Sequence, residues 1–276
     1  MLEPGVVIID ASALKYLMTP AGVAAARSRL RSAHLRIWPS KINALEVMKD
    51  GNGARVKRLL EVLASWQGDY PILPLPTDVL RASGLAALGG DDSFDLSGDL
   101  AESIVPSDED LEEDRQRSIG YLQPMLESFE RAHARSARDF RVGVKPIRHE
   151  VQDLHAFLDA FWRTEDNTRH QVEQMWSALG LPDVPPPDLL ARSETWRIWH
   201  DAFGAAIFYR AVRTETQGRP AGFVDLMQLL YLAGVQRSRI LVSNDHALLE
   251  TARDMMIGRY ANVRIMHGEE FFGPQG

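Results

Sequence analysis

Short apolar runs alternate with helical repeats at both ends of the chain. The runs at residues 5–9, 34–38, 72–75, 239–243 and 263–266 predict buried strands. Apolar positions at helical spacing fall at residues 21–31, 40–48, 56–66, 223–235 and 246–257. Strands that alternate with helices in this way predict βαβ units and a mainly parallel sheet.

The middle of the chain lacks any strand-like pattern and shows only helical repeats. A proline-rich segment at residues 182–187 interrupts them. We therefore predict an α/β core whose first half is residues 1–80 and whose second half is residues 193–276. A large all-helical insertion, residues 81–192, separates the two halves.

Four tryptophans belong to these helical repeats in and after the insertion. They are Trp162, Trp176, Trp196 and Trp199. Tryptophans at helical spacing predict packing between helices, although aromatic rings of this kind can also stack on nucleic-acid bases.

Composition excludes several kinds of chemistry. The chain has 276 residues and no cysteine, which excludes disulfides, thiolate zinc sites and cysteine nucleophiles and fits a reducing compartment. The apolar run at residues 6–9 is too short for a signal sequence or a membrane span, so we expect a cytoplasmic protein with no membrane partner.

The net charge of −7 is distributed unevenly. Residues 91–114 contain eleven acidic side chains and no Lys or Arg, and without them the formal charge becomes +4. Residues 131–148 then carry six Lys and Arg against one acid. Such a basic stretch can contact phosphates, although a solvated helix face is the ordinary alternative.

Four acidic residues are predicted to meet at one edge of the sheet. Asp10 directly follows the first strand, and Asp245 stands two residues beyond the strand at 239–243. Glu46 lies in the second turn of the helix after the second strand, and Asp225 lies in the first turn of its helix. Parallel sheets place ligand sites at the carboxyl ends of their strands, so these side chains are expected to converge there.

Converging carboxylates repel one another, and a hard divalent cation such as Mg²⁺ or Mn²⁺ removes that conflict. The bound cation activates a water and offsets charge on a phosphorus centre. We expect Ser243, Ser12 and Asn43 to support the carboxylates with hydrogen bonds. Each acid also has an ordinary alternative: the aspartates can cap helices or complement their dipoles, and Glu46 can face solvent.

The chain resembles the PIN-domain family in these acids and in the elements that carry them. The segments that match are VIIDASAL (7–14), SKINALEV (40–47), VDLMQLLYLA (224–233) and LVSNDHAL (241–248). The resemblance implies a three-layer α/β/α fold with a parallel sheet of order 3-2-1-4-5. It also implies a hydrolase, an Mg²⁺- or Mn²⁺-dependent endoribonuclease that cleaves RNA with Asp10, Glu46, Asp225 and Asp245 as catalytic and metal-binding residues.

The insertion lies outside the resemblance, which covers residues 1–78 and 193–276. It could cover the active site, bind substrate, or hold a protein partner or an inhibitor, and a homo-oligomer stays open. One alternative function is a catalytically silent PIN-like scaffold that binds RNA or protein through the insertion. Another is a phosphatase of the HAD type, but that family needs a second Asp where this chain has Ser12.

Overall fold

Four parallel strands form one sheet in the computed structural model. The structure describes residues 5–50, 52–67, 73–90, 153–211, 221–234 and 238–273, with isolated positions between 113 and 131. The strands are β1 Gly5–Ile9, β2 Leu35–Ile37, β3 Arg239–Ser243 and β4 Val263–His267. Their order is β2-β1-β3-β4, and all three pairings are parallel. The predicted mixed α/β class with a parallel sheet is confirmed.

Helices make up most of the remaining described chain. The α-helices are α1 Pro20–Ser32, α2 Lys41–Met48, α3 Gly53–Gln67, α4 Pro76–Leu88, α5 Leu154–Phe157, α6 Glu165–Ala178, α7 Leu189–Arg192, α8 Glu194–Ala211, α9 Phe223–Met227, α10 His246–Met256 and α11 Gly268–Phe272. Two 3₁₀ helices, Ala11–Met18 and Gln228–Leu232, and a π-helical turn, Leu158–Trp162, complete the set. None of the described helices is both long and apolar enough to cross a membrane.

Side-chain caps fix where several of these helices begin. The Thr19 hydroxyl accepts a hydrogen bond from Gly22 N at 3.1 Å, and Pro20 occupies the first position of α1. Ser40 caps α2 in the same manner. A cap side chain satisfies a backbone N–H that has no partner inside the helix, so each helix starts where the sequence supplies one.

The sheet is buried on both faces because β1 and β3 are apolar at nearly every position. On one face, Val7 and Ile9 pack in a cluster with helices α1, α2, α3 and α11. On the other face, Val6 and Ile8 pack in a larger cluster with helices α4, α8 and α10. Successive side chains of a strand point to opposite faces, which explains the division.

Two predicted elements differ in the structure. The strand predicted at 72–75 is reduced to a single bridge, in which Leu73 N donates to Pro39 O and Lys41 N donates to Leu73 O, both at 2.9 Å. Pro74 has no N–H with which to extend the pairing. The helix predicted at 223–235 is a short α-helix followed by a 3₁₀ helix that ends at Leu232; Ala233 is extended, and Gly234 follows with a φ of 123°.

The predicted insertion is only partly visible in the described residues. The acidic stretch from Asp91 and the basic stretch beyond Arg131 lie outside them. Position 81, the proposed boundary, falls within α4, which packs in the same cluster as α8. Helices α5 to α7 share that cluster with the sheet, so they belong to one continuous core. The division into three segments stays a prediction.

The four tryptophans form the centre of this core, which confirms the packing interpretation. All four are at most 2% exposed. The ring centroids of Trp176 and Trp196 are 5.5 Å apart, and those of Trp196 and Trp199 are 5.4 Å apart. Trp162 donates from Nε1 to the His200 carbonyl at 2.8 Å. Buried as they are, these rings cannot stack on a base.

Gly204→Ala is expected to destabilise the fold by about 1–3 kcal/mol. A Cβ on Gly204 would lie 2.5 Å from Trp162 Cδ1 and 2.7 Å from Leu158 Cδ2. Alanine favours a helix by about 1 kcal/mol over glycine, but this gain is smaller than the cost of the overlap. Urea unfolding gives the free energy. Gly53→Ala is the control because no atom lies within 4 Å of its added Cβ, and an equal loss in both variants would contradict the prediction.

The buried His200 should make the fold less stable in mild acid. Burial is the main cause that lowers the pKa of His200 to about 4; the charge of Asp201 opposes the shift, and the positive charge of Arg163 adds to it. Between pH 6.5 and 4, His200 is therefore protonated in the unfolded chain and neutral in the folded chain. The contribution of neutral His200 to the free energy of unfolding is fully present above about pH 6.5. It falls by up to about 3 kcal/mol as the pH drops to 4.

Urea unfolding of wild type and His200→Phe at pH 7, 5 and 4 measures this contribution. Phenylalanine keeps an aromatic ring beside Trp162, whose centroid is 5.1 Å from that of His200, and it removes the titration. Wild type should lose more stability than the variant over this range. Parallel pH profiles for the two proteins would show that His200 does not contribute.

Candidate active site

Asp10 accepts hydrogen bonds on both carboxylate oxygens. It follows β1 at the carboxyl edge of the sheet and is 6% exposed. Ser243 Oγ donates to Oδ2 at 2.8 Å, and the Ser12 hydroxyl and backbone N–H donate to the same oxygen. Gln228 Nε2 donates to Oδ1 at 3.0 Å. A carboxylate surrounded only by donors is held in one orientation with its negative charge stabilised.

The two serines connect Asp10 with the loop that carries Asp245. Ser243 Oγ accepts from Asp245 N, and Ser12 Oγ accepts from Asn244 N, both at 2.9 Å. Each hydroxyl accepts a hydrogen bond from a backbone N–H. Because a carboxylate oxygen can only accept, each hydroxyl donates its own hydrogen to Asp10. The predicted supporting positions of Ser12 and Ser243 thus match direct contacts. The carboxyl ends of β1 and β3 are bridged through these hydroxyls.

Asp245 and Asp225 both hold the start of a helix. Asp245 Oδ1 accepts from Ala247 N at 2.8 Å and from Leu248 N at 3.0 Å, which caps α10. Asp225 Oδ2 accepts from Gly222 N at 3.1 Å, at the start of α9. The capping alternative is therefore confirmed for Asp245, and also for Asp10, whose side chain accepts from Ser12 N at the start of the 3₁₀ helix Ala11–Met18, while Asp225 lies in the first turn of α9, as the dipole alternative requires. Each cap uses one carboxylate oxygen, so capping does not exclude a second role for the other oxygen.

Glu46 is half-buried on α2 and lies within the electrostatic reach of all three aspartates. Burial, together with the charges of Asp10, Asp225 and Asp245, raises the pKa of its carboxyl group to about 8, and the charge of Lys49 opposes this only in part. The four predicted acids thus interact at one edge of the sheet, although they come from four separate segments. At neutral pH Glu46 holds a proton that a cation would displace.

Gln228 is a site residue that the sequence patterns did not indicate. It is fully buried, and its Nε2 bonds to Asp10 while its Oε1 has no hydrogen-bond partner. The available signal was one polar residue inside the apolar run at 226–233. A buried amide oxygen without a partner is costly, so such a position usually serves another group.

Asn43, in contrast, does not contact the acids. Its Oδ1 accepts from the Ser40 hydroxyl at 2.5 Å, and its backbone N–H donates to the same hydroxyl at 3.3 Å. The residue is 1% exposed and belongs to the start of α2. No hydrogen bond joins Asn43 to the four acids, so its predicted supporting role is not seen. Its contacts instead support the Ser40 cap of α2.

The carboxylates lie near one another without forming a compact ligand set. Among the residues that the structure describes, no three His, Asp or Glu side chains are grouped closely enough to hold a metal ion. The three aspartates act on Glu46 by charge, and Asp10 and Asp245 share Ser243 as a hydrogen-bond partner. No protein-family model, curated protein or solved structure matches this chain.

Proposed function

We propose that the chain is a PIN-like, Mg²⁺- or Mn²⁺-dependent endoribonuclease that hydrolyses RNA phosphodiester bonds at the edge where Asp10, Glu46, Asp225 and Asp245 meet. The observation that carries the proposal is the convergence of these acids from four distant segments. Asp10 and Asp245 follow the adjacent strands β1 and β3, and Ser243 contacts both. Open parallel sheets place their ligand sites at this edge.

The residues present fit a hard divalent cation. Glu46 is surrounded by three other acids, and their mutual repulsion is the condition that a bound cation relieves. Carboxylate oxygens are the ligands that Mg²⁺ and Mn²⁺ prefer. The Gln228 Oε1 atom adds a buried oxygen without a partner next to Asp10. No three of the described acids are grouped closely enough to hold an ion as they stand, so the four carboxylates would have to move together around it.

The role of each side chain follows from its contacts. Gln228 and Ser243 fix the orientation of the Asp10 carboxylate, while the caps fix one oxygen of Asp225 and of Asp245. When bound, the cation supplies an activated water and offsets negative charge on the phosphate. A polar, preorganised set of this kind needs no histidine base.

The arrangement of the sheet supports the same proposal. The four-stranded order β2-β1-β3-β4 is compatible with the order 3-2-1-4-5 that the resemblance implies, and Leu73 forms a single parallel bridge with Ser40, just after β2. Helices pack on both faces of the sheet. A parallel sheet with helices on both faces is what a PIN-like core requires, and this supports the proposal.

Glu46→Gln is expected to lower metal-dependent RNA cleavage about a hundredfold or more. The neutral amide no longer contributes charge to the cation. The assay uses an end-labelled 20-nucleotide single-stranded RNA with protein stripped by EDTA and then supplied with Mn²⁺, Mg²⁺ or neither. Wild type should cleave only with metal, and Mn²⁺ at 100 times its Kd should stabilise the fold by about 2.7 kcal/mol.

Glu173→Gln is the matched control, because Glu173 is exposed on α6. It should keep full cleavage and the full Mn²⁺-dependent rise in melting temperature, and Glu46→Gln should lose most of both. Binding of RNA without cleavage under either metal would replace the nuclease by the silent scaffold. Hydrolysis of a small phosphomonoester instead of RNA would point to a phosphatase.

A further inference from the structure

An open groove runs along the outer side of α1, on the sheet face opposite the tryptophan core. It is lined by residues of α1 between Thr19 and Ser32 and by Arg58 of α3, and its volume is about 860 Å³. Its α1 residues recur every three or four positions, so they form one face of the helix. This α1–α3 groove is separate from the four acids described above.

The α1–α3 groove is basic in a protein whose net charge is negative. Helix α1 carries three arginines and no acid, and α3 carries three basic residues against one acid, whereas the whole chain has a formal charge of −7. Arg27, Arg31 and Arg58 all line the groove. Concentrating cations at one concave surface raises the local attraction for a polyanion.

These arginines are available for a ligand. Arg31 is exposed and has no acidic partner among the described residues. Arg58 pairs with Glu61 at 3.5 Å, but the two side chains are 58% and 44% exposed, and exposed pairs contribute little. Arg27 lies against the Trp66 ring at 5.8 Å, which positions its guanidinium at the wall of the groove. By contrast, Arg29 is occupied by the Glu270 and Phe271 carbonyls.

We infer that the α1–α3 groove binds the phosphate backbone of the single-stranded RNA that the enzyme cleaves, away from the cleavage site. Arg27 and Arg31 are one helical turn apart, so their guanidinium groups can meet successive phosphates, and Ser28 adds a hydroxyl donor. Such contacts position the polymer without reading its bases. The choice of RNA as the polyanion rests on the proposed function.

The groove is connected to the acids by one element. The 3₁₀ helix Ala11–Met18 begins directly after Asp10. It is followed by Thr19, where the groove starts. At about 2 Å per residue it spans roughly 16 Å, a distance that a few nucleotides can cover. Lys15 is exposed on this helix, so a cation also lies between the two sites.

The first test measures RNA binding without cleavage. A fluorescent 20-nucleotide oligouridylate is titrated with the full chain in EDTA, and anisotropy is followed from 50 to 300 mM salt. Arg31→Gln/Arg58→Gln should bind at least tenfold more weakly at low salt, and its salt slope should fall by about 1.4, which corresponds to two lost phosphate contacts. Arg169→Gln, at an exposed position of α6, is the control for the loss of one positive charge.

The absence of cysteine in the chain provides a second test. Ser28→Cys, labelled with a benzophenone maleimide, should crosslink to the oligonucleotide, and Ser177→Cys on the exposed side of α6 should not. The inference is overturned if the double variant keeps the affinity and slope of wild type. It is also overturned if Arg169→Gln weakens binding as much, or if the two labelled cysteines crosslink equally.

The two proposals fail in different ways. If cleavage is never observed but binding depends on Arg31 and Arg58, the nuclease proposal fails and the groove is retained. If the double variant cleaves with unchanged KM and kcat, the groove is rejected and the nuclease is retained. A raised KM with unchanged kcat supports both.

Discussion

Asp10→Asn is expected to lower the rate constant of RNA cleavage about a thousandfold, with little loss of stability. The amide oxygen must take the place of Oδ2, because Ser12 and Ser243 both donate there. The amide nitrogen then replaces Oδ1, where it cannot bind a cation. Single-turnover cleavage with Mn²⁺ measures the loss, and urea unfolding measures the stability.

The orphaned oxygen of Gln228 explains why the fold should tolerate this change. Rotation of the Gln228 amide by half a turn presents Oε1, which has no partner in the native protein, to the new amide nitrogen. Asp166→Asn, at an exposed position of α6, is the matched control and should keep wild-type activity. If Asp10→Asn cleaved RNA at more than a tenth of the wild-type rate, the metal site would have to lie elsewhere.

Arg163→Met is expected to destabilise the fold by about 3 kcal/mol. Asp201 is completely buried and accepts from Arg163 Nε at 3.2 Å and Nη2 at 2.5 Å. Without Arg163, the carboxylate keeps the Tyr260 hydroxyl at 2.8 Å and Arg259 at 3.9 Å, which compensate only in part. Burial and the charge of Asp201 raise the pKa of Tyr260, so this hydroxyl remains a neutral donor.

Arg169→Met distinguishes the buried pair from an exposed one. Arg169 and Glu165 are 2.6 Å apart, but their side chains are 60% and 84% exposed, so we expect a loss below about 1 kcal/mol. The double variant Arg163→Met/Asp201→Asn should lose less free energy of unfolding than the two single variants added together. Removing Arg163 is most costly while the charge of the buried Asp201 carboxylate remains. Equal losses for Arg163→Met and Arg169→Met in urea unfolding would refute this account.

The sequence was sufficient for the elements that depend on local pattern. Unbroken apolar runs identified β1 and β3, and Ser40 identified the start of α2. The positions of Asp10 and Asp245 after their strands were enough to place them at one edge. These features follow from periodicity and capping, which are properties of neighbouring residues.

The sequence was not sufficient where the structure depends on distant contacts. Leu73 forms only a bridge because its strand ends at a proline and lies beyond the short β2. Gln228 resembles any polar residue on a helix until it is seen to reach Asp10 across 218 positions of chain. Likewise, nothing local to Asp201 indicates that an arginine 38 residues earlier neutralises it.

The pairing of β1 with β3 has a consequence for synthesis of the protein. Asp10 and Ser243 touch although 233 residues separate them, so this edge of the sheet cannot assemble until Ser243 has been translated. A prematurely terminated product would contain Asp10 and Glu46 but lack Asp225 and Asp245. Until then a nascent chain, which is surrounded by messenger and ribosomal RNA, lacks the complete site that we propose cleaves RNA.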